Sequence, residues 1–197
     1  MTCLTCRNWS IASLCGACAA RLEVAPDRIV DGHRVVTGLE HRGPARILIH
    51  RLKYEAMLEA AQVLAPLVSS QLDYPVDAVT YVPRVLARRW RYGIDQSREL
   101  ARAIAAELGV PTIRSLQPPW WSPPSAGAPA ASRRPPAFSI RRRLPIPTGR
   151  WLIVDDVLTT GATLGQAAQK LREEFLIDVR LAVATSATEV TSLRSRR

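Results

Sequence analysis

The sequence predicts an α/β fold: a mostly parallel sheet flanked by helices, with a small metal-bound knuckle at the N-terminal end. Three observations predict it. Short apolar runs of strand character at residues 77–83, 150–156 and 178–187 alternate with stretches of helical periodicity, the signature of strand–helix–strand units with parallel strands. The run "WLIV" passes directly into two aspartates and then into a turn rich in threonine with one glycine. All four cysteines fall within the first 18 residues as two CxxC pairs.

Taken in order, the cysteines read Cys3-x-x-Cys6 and Cys15-x-x-Cys18 with eight residues between the pairs. Two CxxC knuckles complete a tetrahedral four-thiolate site, which selects zinc first and an iron cluster second. Disulfides and a redox CxxC are the other chemistries open to such a pattern, and the lack of a secretory signal disfavours disulfides. About 20 residues cannot build a core, so residues 1–22 are expected to fold around structural zinc, leaving 23–197 as the main domain.

The segment "AARL" at 19–22 is expected as a helical turn, and 26–41 as a strand or hairpin. Residues 44–72 carry apolar side chains at helical spacing and predict two helices broken around Lys53 to Glu55. "DAVTYVP" at 77–83 predicts a buried strand stopped by Pro83. "RVLARRWRYGI" at 84–94 reads as a basic loop. Asp95 or Ser97 can cap the following helix, which ends at Gly109, and "VPTIRSL" at 110–116 reads as a short strand.

Residues 117–147 hold nine of the 15 prolines, which excludes a long helix or a central strand there. A long loop is predicted, with "AFSI" at 137–140 as a short strand. "RWLIVDD" is then a strand, 163–174 a helix and 178–187 a strand, with a frayed tail at 192–197.

Composition narrows the function classes. At 47% hydrophobic the chain can bury a core, yet no apolar run is long enough to span a bilayer, so a soluble cytoplasmic protein is expected. The net charge of +10 suits a polyanion or a phosphate-rich ligand. Lys53 and Lys170 are the only lysines, and that arginine bias is also what a GC-rich genome produces.

The segment 151–164 carries the chemistry. A strand with an apolar body delivers Asp155 and Asp156 to the carboxyl edge of the sheet, where open α/β sheets bind ligands. Thr159, Thr160, Gly161, Ala162 and Thr163 then open a helix, whose first N–H groups suit a phosphate. An anion cradle beside two carboxylates fits a ribose 5-phosphate. The P-loop and GxGxxG patterns are both absent.

"LIVDDVLTTGAT" resembles the fingerprint of type I phosphoribosyltransferases, which bind phosphoribosyl pyrophosphate (PRPP). The resemblance implies that Asp155 and Asp156 hold the ribose hydroxyls with magnesium nearby, and that residues 159–163 hold the 5-phosphate. Negative charge beside the ring would stabilise an oxocarbenium-like transition state. The order of a four-cysteine knuckle, "LKY", "VPR…RYG…Q" and this motif further resembles the ComF (competence protein F, GntX-like) family. That resemblance implies that the basic loop, with Arg84, Arg88 and Arg91, meets pyrophosphate or a nucleic-acid backbone. It also implies a part in DNA uptake alongside other competence proteins.

The chain departs from the family pattern at Tyr92-Gly93-Ile94-Asp95-Gln96, where an arginine would precede the glycine. It departs again at the proline-rich run, where Arg133, Arg134 and Phe138 stand as remnants of a family segment. Two functions follow as expectations. One is transfer of a phosphoribosyl group from PRPP to an acceptor. The other is a non-catalytic protein that engages single-stranded DNA and uses the PRPP site as a sensor or scaffold. Trp90, Trp120 and Trp121 can serve there as base-stacking platforms, or simply anchor the proline-rich loop.

Overall fold

The computed structural model describes residues 1–121, 136–141 and 148–187. Most of the proline-rich stretch, with Arg133 and Arg134, and the tail at 192–197 lie outside the described residues. The elements are α1 (Gly16–Ala19), β1 (Arg28–Val30), β2 (His33–Glu40), α2 (Gly43–Tyr54), α3 (Glu59–Ser69), β3 (Ala78–Tyr81), α4 (Leu86–Tyr92), α5 (Gln96–Leu108), β4 (Leu116–Gln117), β5 (Ser139–Ile140), β6 (Gly149–Leu158), α6 (Ala162–Glu174) and β7 (Ile177–Ser186).

Five strands form the main sheet in the order β1-β2-β7-β6-β3. β2, β7, β6 and β3 are mutually parallel, and β1 closes one edge as the antiparallel arm of a hairpin. β4 and β5 make a separate antiparallel pair. The parallel strands are buried on both faces over most of their length, and there their sequences are largely apolar, as at Leu152–Val154 and Leu181–Ala184. Along β6, Leu152 and Val154 pack with α2, α3 and α5, while Ile153 packs with α6 on the other face. β7 repeats the alternation, with Ala182 and Ala184 on the first face and Leu181 and Val183 on the second.

The crossovers locate the working edge. After β3 the chain runs through α5 on the first face, and after β6 it runs through α6 on the second. β3 and β6 are neighbours, so their connections diverge to opposite faces and leave a crevice at their carboxyl ends. That is the switch point at which open α/β sheets bind ligands.

Four sequence expectations change. Residues 84–94 are not a loop: Leu86–Tyr92 form a helix, its Leu86 and Ala87 N–H groups donating to the carbonyls of Pro119 and Trp120. Residues 110–116 are not a full strand; Thr112 makes one parallel bridge to Val79, and only at Leu116 does β4 begin. The proline at 111 has no N–H for a ladder, which limits the pairing to that bridge. The first helical turn is at Gly16–Ala19, three residues ahead of the expected 19–22, because Cys18 and Ala19 donate back to the Cys15 carbonyl. β6 also continues two residues past the aspartates, since Val157 and Leu158 still pair with Thr185 and Ser186 of β7. The two helices in 44–72, the hairpin in 26–41 and the strand at Ser139–Ile140 match the expectations.

The tightest backbone approach in the sheet is at Gly38 of β2. A Cβ there would stand 2.8 Å from the Ala184 carbonyl oxygen and 3.0 Å from Val68 Cγ2. Both neighbours are buried: the carbonyl belongs to β7, which pairs with β2, and Val68 to α3, so room can be made only by spreading the strands or shifting the helix. Gly38→Ala is therefore expected to destabilise the fold by about 1–3 kcal/mol, read from the midpoint of urea unfolding. An unchanged midpoint would show that the ladder yields at that point.

Candidate functional site

The site is built from the carboxyl end of β6, the head of α6 and the last turn of α2. Successive strand residues face opposite sides, and the two aspartates divide accordingly. Asp156 continues the Leu152–Val154 series toward the α2 layer and is only 5% exposed. Its Oδ2 lies 2.7 Å from the Lys53 ammonium at the end of α2, and no hydrogen bond outside that ion pair satisfies the oxygen. Burial alone would lower Lys53, but the charge and contact of Asp156, with Asp155 beyond it, outweigh burial and hold the ammonium above its ordinary value.

Asp155 starts from the other side of the strand, but at the sheet's edge its carboxylate reaches the head of α5. Its Oδ1 accepts from the Ser97 hydroxyl at 2.8 Å and from the Asp156 N–H at 2.9 Å. Burial first, and the Asp156 charge second, push its carboxyl up to about 7 against those hydrogen bonds and the Lys53 charge. His41, at the carboxyl end of β2, completes the rim: its Nδ1 lies 2.8 Å from Thr185 Oγ1, which donates to the Asp156 carbonyl at 3.3 Å. With the Thr185 proton so used, Nδ1 must carry the ring hydrogen. Burial, with Lys53 and Arg46 nearby, lowers the His41 pKa.

Asp155 shares a shallow hollow of about 30 Å³ with Val157, Leu158 and residues 159–164. That is room for only about two water-sized spheres, so a phosphate would rest against the loop rather than be enclosed. Gly161 is the N-cap of α6 with φ +80° and has no side chain with which to cap the helix. A Cβ at Gly161 would fall 2.5 Å from Val30 Cγ1, so both the conformation and the space demand glycine. Thr160 Oγ1 accepts from the Ala162 N–H at 3.4 Å, and Thr159 and Thr160 are exposed. Thr163 is half-buried in the first turn.

The three arginines separate. Arg84 donates to the Lys53 and Ile94 carbonyls at 3.2 and 3.3 Å and stacks 4.6 Å over the Tyr92 ring, which makes it a tie between α2 and α4. Arg88 is half-buried on α4, whereas Arg91 is exposed with its guanidinium 5.5 Å from the Tyr92 ring centroid. Beside them Leu86, Arg89, Trp90, Gly93 and Trp120 line a cleft of about 340 Å³. Trp90 is 87% exposed and Trp120 66%. Asp95 holds the N-cap position of α5, but its carboxylate accepts from the Arg84 N–H at 3.2 Å instead of capping the helix.

At the other end, the ligand atoms of Cys3, Cys6, Cys15 and Cys18 all lie within 4.8 Å of one another, close enough to hold one metal ion. Tetrahedral Zn–S bonds of about 2.3 Å place sulfurs nearly 4 Å apart, and Cys6 Sγ to Cys15 Sγ is 3.7 Å. Burial works against a Cys3 thiolate, yet the Cys15 N–H and the Thr5 hydroxyl bring that thiol down to about 5. For Cys6 the Asn8 N–H favours the thiolate, but burial and the three other sulfurs push it up to about 11. A cation among the sulfurs removes that mutual opposition. Leu4 and Leu22 pack the knuckle onto the core beneath α2 and α3.

No protein-family model matches the chain. Over 157 residues it is 31% identical to the DNA utilization protein YhgH of Escherichia coli O157:H7, an alignment covering 70% of this chain and 65% of that protein. It is 28% identical to competence protein F of Haemophilus influenzae over 176 residues, covering 82% of this chain and 73% of the relative. The chain is thus similar to proteins named DNA utilization protein YhgH and competence protein F, and it spans slightly under two thirds of the length of the first of these. Among solved structures, an adenine phosphoribosyltransferase aligns with 74% of this chain and 71% of its own, at 16% identity and a TM-score of 0.39.

Sequence motifs locate Asp155 and the turn that shares its hollow; "LKY" contains Lys53 without giving it a role, Ser97 stands only as a possible helix cap, and His41 and Thr185 are not singled out. Lys53, Ser97, His41 and Thr185 come from four different elements and converge only in the fold. One signal was available: Lys53 is one of two lysines among 27 basic residues.

An acid raised from its ordinary value near 3.9 to about 7 contributes stability that is fully present below pH ~4 and lost as pH rises through 7. Asp155→Asn keeps the oxygen that accepts both hydrogen bonds. That variant is expected to exceed wild type in stability by about 1–3 kcal/mol at pH 8, with the advantage shrinking toward pH 5. Urea unfolding at the two pH values measures it, and an equal difference at both would show Asp155 ionised in the fold.

Proposed function

We propose that this chain binds PRPP at the rim formed by β6 and α6 and transfers its phosphoribosyl group to an acceptor nucleophile. One observation carries the reading: Asp155 and the whole turn Thr159–Thr163 line a single hollow at the head of α6, whose N-cap residue has no side chain to occupy it. In this reading the α6 N–H groups and the threonine hydroxyls hold the 5-phosphate, while Asp155 accepts from a ribose hydroxyl. Arg88 and Arg91 attract the pyrophosphate, and Arg84 shapes their helix. Magnesium, arriving with the diphosphate, supplies charge neutralisation for the leaving group. Carboxylate charge beside the ring favours an oxocarbenium-like transition state.

A second reading rests on the tryptophan cleft. Trp90 and Trp120 flank Arg89 in a chain of net charge +10, a combination suited to stacking and charge pairing with single-stranded DNA. The names of the relatives, DNA utilization protein and competence protein F, support that context and suggest DNA-uptake proteins as partners. In this reading the PRPP site is a sensor or scaffold.

We further propose that residues 1–22 are a unit folded around one structural zinc held by Cys3, Cys6, Cys15 and Cys18, with 23–197 as the phosphoribosyltransferase-like domain. A cytoplasmic setting fits four cysteines without a disulfide. No helix among the described residues is long and apolar enough to cross a membrane.

PRPP with magnesium is expected to raise the melting temperature by about 5 °C at saturation. Release of pyrophosphate with candidate bases or amines supports transfer; PRPP binding without release, together with oligonucleotide binding that weakens steeply with salt, favours the second reading. Combined Asp155→Asn and Asp156→Asn should abolish the PRPP shift and leave oligonucleotide binding intact. A full shift in that double variant would refute the site. Metal analysis should find one zinc per chain, and stripping it with a strong chelator should lower the melting temperature; a metal-free protein of unchanged stability would refute the knuckle.

A further inference from the structure

We infer that Lys53 is a positioning residue that serves as the rim's own counter-cation: it neutralises Asp156, so that the acid pair presents one carboxylate, Asp155, to a sugar and holds no divalent ion itself. The sugar-facing half of this inference rests on the PRPP reading; the charge-neutralising half does not.

The geometry separates the two acids by task. Asp156 points into the α2 layer and does not line the hollow, whereas Asp155 does. Asp156 Oδ2 is buried with the Lys53 ammonium 2.7 Å away. Lysine meets the buried oxygen as a compact, single-point cation, and an arginine there would keep the charge in a different shape. The Lys53 carbonyl accepts from Arg84 at 3.2 Å. That bond fixes the end of α2 against the loop after β3 and leaves the lysine side chain little freedom to withdraw.

Without the ammonium, the two adjacent acids would keep only the Arg84 guanidinium, which feels the Asp156 charge but is committed to the Lys53 and Ile94 carbonyls. A small divalent ion is then the species best able to replace it. Lysine at this position therefore makes the empty rim indifferent to magnesium. Any magnesium dependence of ligand binding must then enter with the ligand's own phosphates.

The test uses the full chain with magnesium alone as the probe. Millimolar magnesium should leave the melting temperature of wild type and of Lys53→Arg unchanged. It should raise that of Lys53→Met by about 3 °C or more, and the rise should vanish when Asp156→Asn is added. A purely structural role for Lys53 would lower stability without creating a magnesium response that depends on Asp156. The inference is overturned if wild type responds as strongly as Lys53→Met, if Lys53→Met does not respond, or if the response survives Asp156→Asn.

Should Lys53→Met fail to fold, the ion pair is read in the native protein by Nζ-labelled lysine NMR. With only two lysines, Lys170 serves as the internal reference. A Lys53 ammonium signal protected from exchange, and lost in Asp156→Asn, supports the inference; exchange as fast as that of Lys170 overturns it. A wild type that ignores PRPP with magnesium while Lys53→Met keeps its magnesium response refutes the PRPP reading and leaves the counter-cation standing.

Discussion

A carboxylate carried into the interior at a sheet's edge must find a cation or give up its charge. Asp156 meets that requirement with Lys53, and much of the rim follows from the pairing. The ion pair fastens the last turn of α2 to β6. The Lys53 carbonyl receives the Arg84 guanidinium, which brings the loop after β3 into the same cluster. Arg84 then lies over Tyr92, so the direction of α4 is set from the same point. A single buried charge thus organises three elements that the sheet alone would leave loosely related.

The sheet supplies the frame for that cluster. Four parallel strands buried on both faces leave their charged groups to the strand ends, and the polar side chains inside them, Thr37 and Thr80, are hydrogen-bonded. Chain direction selects the end that matters. The connections from β3 and β6 leave toward opposite layers, and at the end of β6 Asp155 shares its hollow with the head of α6 and with Val183 of β7. Gly161 is required there for two separate reasons, a left-handed backbone and contact with the Val30 side chain from the β1–β2 hairpin. The hairpin therefore limits the shape of a turn far from it in sequence.

The knuckle and the α4 cleft lie outside this frame and follow different physics. The knuckle has too few residues for a core, and its two inward leucines lean on the main domain while its sulfurs gather around one point. The cleft keeps two indoles substantially in water. α4 itself has no buried residue, and its first N–H groups depend on carbonyls at 119 and 120. A short helix held mainly by its ends is well suited to adjust around a ligand.

What the sequence by itself determined is what depends on local order. Apolar runs of strand length, helical spacing in 44–72 and the glycine-bearing threonine turn are set by neighbouring residues. Backbone hydrogen bonding and side-chain periodicity act over a few positions, and so they were legible. The four cysteines were legible for the same reason. Residues 84–94 were misread because a helix of seven residues leaves little periodicity and draws its first partners from residues 119 and 120. Residues 110–116 looked like a strand, but pairing requires a partner edge, and Pro111 restricts it to one bridge. Only the tertiary structure decided that Asp155 and Asp156 take different partners, that β6 runs past them, and that Lys53, Ser97, His41 and Thr185 surround them. Those facts depend on which strand lies beside which and on which layer each helix covers, and no short-range preference encodes contacts between residues so distant along the chain.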